Sequence, residues 1–243
     1  MTPINDKGLG STIFIGTSGF SYTEWRGSFY PEDLPTKNFL QYYAERFTTT
    51  EINNTFYRLP TPKLVSGWSQ AAPDGFVFTL KLSQKITHIR RLKDVDSEMR
   101  FFLETAAGLN EKLGPILVQL PPNFKKNAEL LSEFLKSYAS GHKLAFEFRH
   151  ESWFDEDVYQ VLKDHQAALG VVESEKEGAP DPPSIVTGPF VYMRLRKGEY
   201  SDAELERWAR WILKQTVPVY CYLKHDEKAP VLASGLIDAL KKI

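Results

Sequence analysis

Three groups able to move a proton stand in runs that are otherwise apolar: Glu51 in EINNTFYRLP, Lys81 in FVFTLKL and Glu147 in AFEFRHESW. Runs of this kind, rich in aromatic and β-branched residues, read as β-strands. In a strand covered on both faces, a charge is either part of an internal ion pair or the floor of a site. Glu51 and Glu147 are therefore candidate acid/base groups, because carboxylates on separate strands can flank a substrate. An inverting glycoside hydrolase would need them roughly 6.5 to 9.5 Å apart. A carboxylate beside guanidinium groups is held ionised, which suits a base or a structural partner and not a general acid. Lys81, with Arg149 and Arg194, suits phosphate or carboxylate, to which lysine and arginine make charge-assisted bonds.

These residues need elements to position them, and the chain supplies a regular alternation. Strand-like runs are STIFIGTS, TTTEINNTFY, FVFTLKL, GPILVQLPP, KLAFEFR, AALGVVES, FVYMRLR and PVYCYLKHD. Helical patterns fall between them. TPKLVSGWSQ opens with Thr61 as cap and Pro62 at the first helical position, with Leu64, Val65 and Trp68 on the buried side. DSEMRFFLETAAGLNEKLG reads as one long helix ended by Gly114 and Pro115. Asn127 caps NAELLSEFLKSYASG, and Ser201 with Glu204 forms a capping box ahead of Leu205, Trp208, Ala209, Ile212 and Leu213. The proline-rich KEGAPDPPSIVTGP is the one long loop and reads as an exposed flap.

About eight strand–helix units in a chain of 243 residues match a (β/α)8 TIM barrel, here a single α/β domain over residues 1–243. An open doubly wound sheet is the alternative, but GTSGF after the first strand is not the glycine pattern of a dinucleotide fold. Alternate strand residues point to opposite faces. Ile52, Phe56, Phe78, Leu80, Phe146, Phe148, Val191, Met193, Val219 and Cys221 take one parity. Glu51, Asn53, Thr55, Tyr57, Thr79, Lys81, Gln119, Glu147, Arg149, Tyr192, Arg194, Tyr220, Tyr222, Lys224 and Asp226 take the other. The polar set should converge at the carboxyl ends of the strands, where barrels of this type carry active sites.

Around that mouth, Asn53, Gln119 and Asp226 add polar groups. Tyr22, Trp25, Tyr57 and Trp153 could stack on a sugar or base, although loop packing accounts slightly better for Trp25 and Trp153. The loop KLSQKITHIRRLK places Lys81, Lys85, His88, Arg90, Arg91 and Lys93 on the same face, and Arg90, Arg91 and Lys93 also read as a solvated charge run. The histidines are scattered without ligand spacing, so no metal is expected, and no cofactor fingerprint is present. Ser18 lacks a histidine partner and reads as a turn serine.

A net charge of −1 and pI near 6.5 argue against a surface coated with cations, which leaves anion binding local. The primary expectation is hydrolase or lyase chemistry on a small anionic molecule. The alternative is nucleic-acid binding through the basic loop and the mouth aromatics. A single cysteine, Cys221, excludes an internal disulfide and fits a reducing compartment. The absence of a membrane-spanning run and of a secretory pattern in MTPINDKGLGST leads to a cytoplasmic expectation.

The chain resembles the DUF72 (YecE-like) family over nearly its whole length. The resemblance rests on GTSGFSYTEWRGSFYP at 16–31, EINNTFYRLP at 51–60, the lysine of TLKL with ITH at 86–88, QLPPNF at 119–124 and EFRHESWF at 147–154. It implies a TIM barrel with the recurrent residues around its mouth. Two positions depart from the family pattern. Arg196 stands where the family has a histidine, and Lys224 and His225 replace two asparagines, which makes this mouth more basic.

Overall fold

The computed structural model describes residues 4–5, 12–173, 183–224 and 227–243. Eight parallel strands follow one another around a closed barrel: β1 (Thr12–Ser18), β2 (Thr49–Ile52), β3 (Val77–Lys81), β4 (Leu113–Gln119), β5 (Leu144–Glu147), β6 (Ala168–Val172), β7 (Val191–Leu195) and β8 (Val219–Leu223). Each pairs with its neighbour in sequence, and β1 closes the ring on β8, with Phe14 opposite Tyr220 and Gly16 opposite Tyr222. The short segment Ile4–Asn5 runs antiparallel along β1.

The parity of the strands produces two apolar cores. An outer shell joins Ile13, Ile15, Phe78, Leu80, Phe146, Met193 and Cys221 to the surrounding helices. An inner cluster of Phe14, Leu117, Ala145, Ala168, Phe190, Tyr192, Tyr220 and Tyr222 fills the barrel axis. Since each strand meets helices on one side and the axis on the other, alternation decides which residue enters which core.

Helix ends follow their local chemistry. Thr61 accepts a hydrogen bond from the Leu64 amide at 3.3 Å, Asn127 accepts from Leu130 at 2.9 Å, and Ser201 with Glu204 completes the capping box. These side chains satisfy amides that have no partner inside the helix.

Three elements differ from the sequence pattern. The strand expected across TTTEINNTFY stops at Ile52, and Asn54–Tyr57 forms a single helical turn. Thr55 pins that turn by donating to the Lys81 carbonyl at 2.6 Å, so the alternation assigned to residues 53–57 does not apply. The long helix ends at Ala106. A 3₁₀ segment, Ala107–Lys112, bends at Asn110, where φ is 51° and ψ −128°, and Gly114 and Pro115 belong to β4. In helix Pro62–Ala71 only Val65 is fully buried; Leu64 is 47% exposed and Trp68 half-buried. That helix covers β3 through Trp68, stacked on Phe78 with ring centroids 6.2 Å apart, and leaves Leu64 at the surface.

Of the proline-rich loop, residues 183–187 have no regular structure, and Thr187 ties its end to β6 through the Ala167 carbonyl and the Leu169 amide. The earlier part of the expected flap, to residue 182, lies outside the described residues. No helix among the described residues is long and apolar enough to cross a membrane.

Candidate functional site

Ser18, Lys81, Gln119 and Glu147 are each the last residue of their strand, and Glu51 and Arg194 precede the last by one. All six side chains are buried at the carboxyl-terminal end of the barrel. At their centre Arg194 bridges two carboxylates. Its Nη2 donates to Glu51 Oε1 at 2.9 Å, and its Nη1 donates to Glu147 Oε2.

Both carboxylates have further donors. Glu51 accepts from Ser18 Oγ at 2.7 Å, from Asn53 Nδ2 at 3.0 Å and from the Tyr192 hydroxyl. Glu147 accepts from Gln119 Nε2 at 2.7 Å and Arg149 Nε at 3.1 Å, with Arg196 within 3.6 Å. Burial alone would raise both carboxyl pKa values. Arg194, together with the Tyr192 and Ser18 hydroxyls at Glu51 and with Arg149 and Arg196 at Glu147, outweighs burial. Glu51 is held below its usual range and Glu147 at about 2. The guanidinium of Arg194 occupies the space between the carboxyls that an inverting glycosidase fills with water and substrate.

Above this cluster opens a cavity of about 530 Å³, lined by Ser18, Tyr22, Asn53, Asn54, Phe56, Tyr57, Lys81, Gln84, His88, Gln119, Arg149, Arg194, Arg196 and Lys224. Among these lining residues there are five lysine or arginine side chains and no carboxylate.

Lys81 differs from the other cations of the site. Only 9% of it is exposed, and it makes no hydrogen bond or ion pair among the described residues; its ammonium rests 4.2 Å from the centroid of the Phe56 ring. Burial first, then the charge of Arg194, lowers its pKa to about 8 against the opposing pull of Glu51 and Glu147. His88 packs edge-on against the same Phe56 ring, with centroids 4.9 Å apart, and its pKa is lowered by burial, Lys81 and Arg149. Phe56 reaches this position because the helical turn 54–57 replaces the expected strand.

The expected site residues thus fall into three groups. Glu51, Lys81, Glu147, Asn53, His88, Gln119, Arg149, Arg194, Tyr22 and Tyr57 converge on the cavity or the cluster beneath it, with Tyr57 73% exposed at the rim. Trp25 and Trp153 do not line it. Trp25 is enclosed by Tyr22, Phe29 and Tyr30, while Trp153 stacks on Phe148 at 4.6 Å and donates to the Phe124 carbonyl at 2.6 Å. Asp226, with His225, lies outside the described residues.

The basic loop also divides. Lys85 pairs with Glu98 at 2.8 Å, Arg91 packs over Phe124 and bonds Asn123, and Arg90 and Lys93 are exposed, so only Lys81, Gln84 and His88 of this loop line the cavity. Sequence reasoning did not single out Tyr192, Phe56 or Gln84 as site residues. The inward parity of Tyr192 was the available signal, whereas Phe56 and Gln84 sit on turns without one. No group of three or more His, Cys, Asp or Glu among the described residues is arranged to hold a metal ion.

A family model described as protein of unknown function DUF72 matches residues 14–243. The chain belongs to the DUF72 family. A DUF72 family protein from Thermotoga maritima is 28% identical, with 94% of this chain and 99% of that chain covered and a TM-score of 0.82. A second, from Enterococcus faecalis, is 22% identical over 94% of this chain and 95% of the other, with a TM-score of 0.80. A methyltransferase from Methanosarcina mazei, 10% identical with 94% of each chain covered and a TM-score of 0.50, shares the fold alone. Among curated proteins none matches the chain. The buried Glu51–Arg194–Glu147 cluster of this DUF72 protein draws on segments that carried the family resemblance, EINNTFY and EFRHESW, and joins them through β7.

Proposed function

We propose that this DUF72 protein is an enzyme of the hydrolase or lyase type that binds a small anion at the mouth of its barrel. The carrying observation is Lys81: a buried ammonium without a carboxylate partner, in a cavity whose other charged walls are Arg149, Arg194, Arg196 and Lys224. An anion would supply the missing counter-charge, and charge-assisted bonds in such a partly desolvated cavity are strong. In this reading Glu51 and Glu147 stay ionised and position Arg194 and Arg149. The proton-transfer role passes to Lys81, whose pKa of about 8 lies close to neutral pH, where acid/base groups work best.

Inorganic phosphate and oxalate are suitable probes. A ligand at 100 times its Kd stabilises by about 2.7 kcal/mol, which raises Tm by about 5 to 10 °C in a chain of this size. Arg149→Ala should lose most of that shift. An unchanged Tm with both anions up to tens of millimolar would remove the proposal. Nucleic-acid binding has weaker support, because Lys85 and Arg91 of the basic loop already have protein partners.

A further inference from the structure

We propose that Lys81 is a nucleophile that forms an imine with a small anion carrying an aldehyde or ketone, which makes the site one for lyase-type chemistry. This rests on the anion-binding reading above and adds the reacting atom and the substrate class.

The first support is the contrast among the cations. Arg149, Arg194 and Arg196 each stand within 3.6 Å of a carboxylate, so each has an anionic partner. Lys81 Nζ has only the Phe56 ring beneath it. A lysine that is desolvated and set beside another cation presents its neutral amine near neutral pH, and the neutral amine is the nucleophile in carbonyl addition. Residues built only to bind phosphate need no such exposure of a lone pair.

The second support is His88 on the same ring. Thr87 Oγ1 donates its proton to the Ser83 carbonyl at 3.1 Å and lies 2.9 Å from His88 Nδ1. In the tautomer whose Nδ1–H donates to that oxygen, Nε2 of the neutral ring is a proton acceptor. Imine formation needs such a group. The Lys81 amine attacks the carbonyl carbon, a C–N bond forms, and the C=O π pair moves to oxygen. A proton passes from nitrogen through Nε2 to that oxygen, giving a carbinolamine. The nitrogen lone pair then forms C=N as the C–O bond breaks, and the oxygen leaves as water with the second proton. The arginines hold the anionic arm of the substrate throughout.

Two reactive probes test this on the full chain: glyoxylate, an aldehyde with a carboxylate arm, and pyridoxal 5′-phosphate, an aldehyde with a phosphate arm. Each is followed by borohydride reduction and peptide mass mapping. Lys81 should be labelled at least about 10-fold faster than any other lysine, since its amine is neutral more often and the anion is concentrated at the mouth. Inorganic phosphate should suppress the labelling, benzaldehyde should show no preference for Lys81, and Lys85→Met should leave labelling of Lys81 intact. His88→Gln should slow labelling by about 100-fold, far more than it changes the phosphate-induced rise in Tm. Labelling spread evenly over the lysines while phosphate still raises Tm would overturn the imine and leave the anion site standing. Even labelling with no phosphate effect would overturn both.

Discussion

Replacing Lys81 with methionine is expected to make the protein more stable, because the wild-type ammonium is buried without an anionic partner. Folding lowers the pKa of Lys81 from 10.5 to about 8, through burial first and Arg194 second. At about 1.4 kcal/mol per pKa unit, keeping the side chain charged in the folded state costs about 3 kcal/mol at pH 7. Contact with the Phe56 ring returns up to about 2 kcal/mol of this, the scale of a desolvated cation–π contact. Methionine has a similar stem and can place sulfur on the same ring. The gain should therefore be about 1 to 3 kcal/mol at pH 7. The folded-state pKa lies below the unfolded one, so the penalty is complete below about pH 8 and is relieved as pH rises toward 10.5. The advantage of the variant should shrink over that window. Urea denaturation followed by the fluorescence of the five tryptophans at pH 7 and pH 10 measures it. A variant less stable than wild type at pH 7, or an advantage equally large at pH 10, would refute the reasoning.

Glu147→Gln should destabilise by about 3 to 5 kcal/mol at pH 7, because it leaves Arg194 and Arg149 short of a buried counter-charge. The depressed Glu147 pKa of about 2 contributes stability above the unfolded value near 4.5 that is lost as pH falls toward 2, so urea midpoints of wild type and variant should converge across that range. Trp153→Phe should cost about 1 to 3 kcal/mol through the lost bond to the Phe124 carbonyl, with phosphate-induced thermal shifts unchanged. Anion affinity measured by calorimetry should weaken as pH rises through about 8 and Lys81 loses its proton; in Lys81→Met that pH dependence should vanish.

The barrel and most of its charged cluster were legible because both depend on alternation. Phe146 and Phe148 belong to the outer core, while Ala145 meets the axis and Glu147 reaches the cluster, as parity within AFEFR requires. Caps at Thr61, Asn127 and Ser201 were legible because each satisfies its own helix end. What failed was nonlocal or nonperiodic. The turn Asn54–Tyr57 is fixed by Thr55 reaching the Lys81 carbonyl, a residue 26 positions away, and that bond brings Phe56 under the ammonium. Trp25 and Trp153 were ambiguous since an aromatic near a strand end has the same spacing whether it faces a ligand or a loop core. Which carboxylate meets which arginine is likewise a property of the closed ring: Glu51 and Glu147 are brought to one guanidinium only when β2, β5 and β7 surround a common axis.

The contents of that axis change along its length, and the change bears on what the charges are for. Toward the amino-terminal end, Phe14 stacks on Tyr220 at 4.8 Å and Phe190 meets Tyr220 edge-on at 5.8 Å. Next comes Tyr222, its hydroxyl bonded to Thr79 at 2.6 Å and Thr49 at 2.9 Å, with burial raising its pKa so that it stays neutral. Only then come Glu51, Arg194, Glu147 and Lys81. The same eight strands fill their interior with neutral side chains wherever the mouth is distant, so filling does not demand ions. Replacing buried ions by well-packed apolar groups is often neutral or stabilising by about 1 to 4 kcal/mol. A chain under pressure for stability alone would carry the neutral layers to the top. Lys81 sharpens the point, because Glu51, Arg194 and Glu147 at least pair with one another, with Arg194 Nε alone left without a partner among the described residues, whereas the Lys81 ammonium is expected to lower stability and pairs with none of them. A side chain expected to weaken the fold, at the end of a strand where the cavity begins, supports the proposed ligand role.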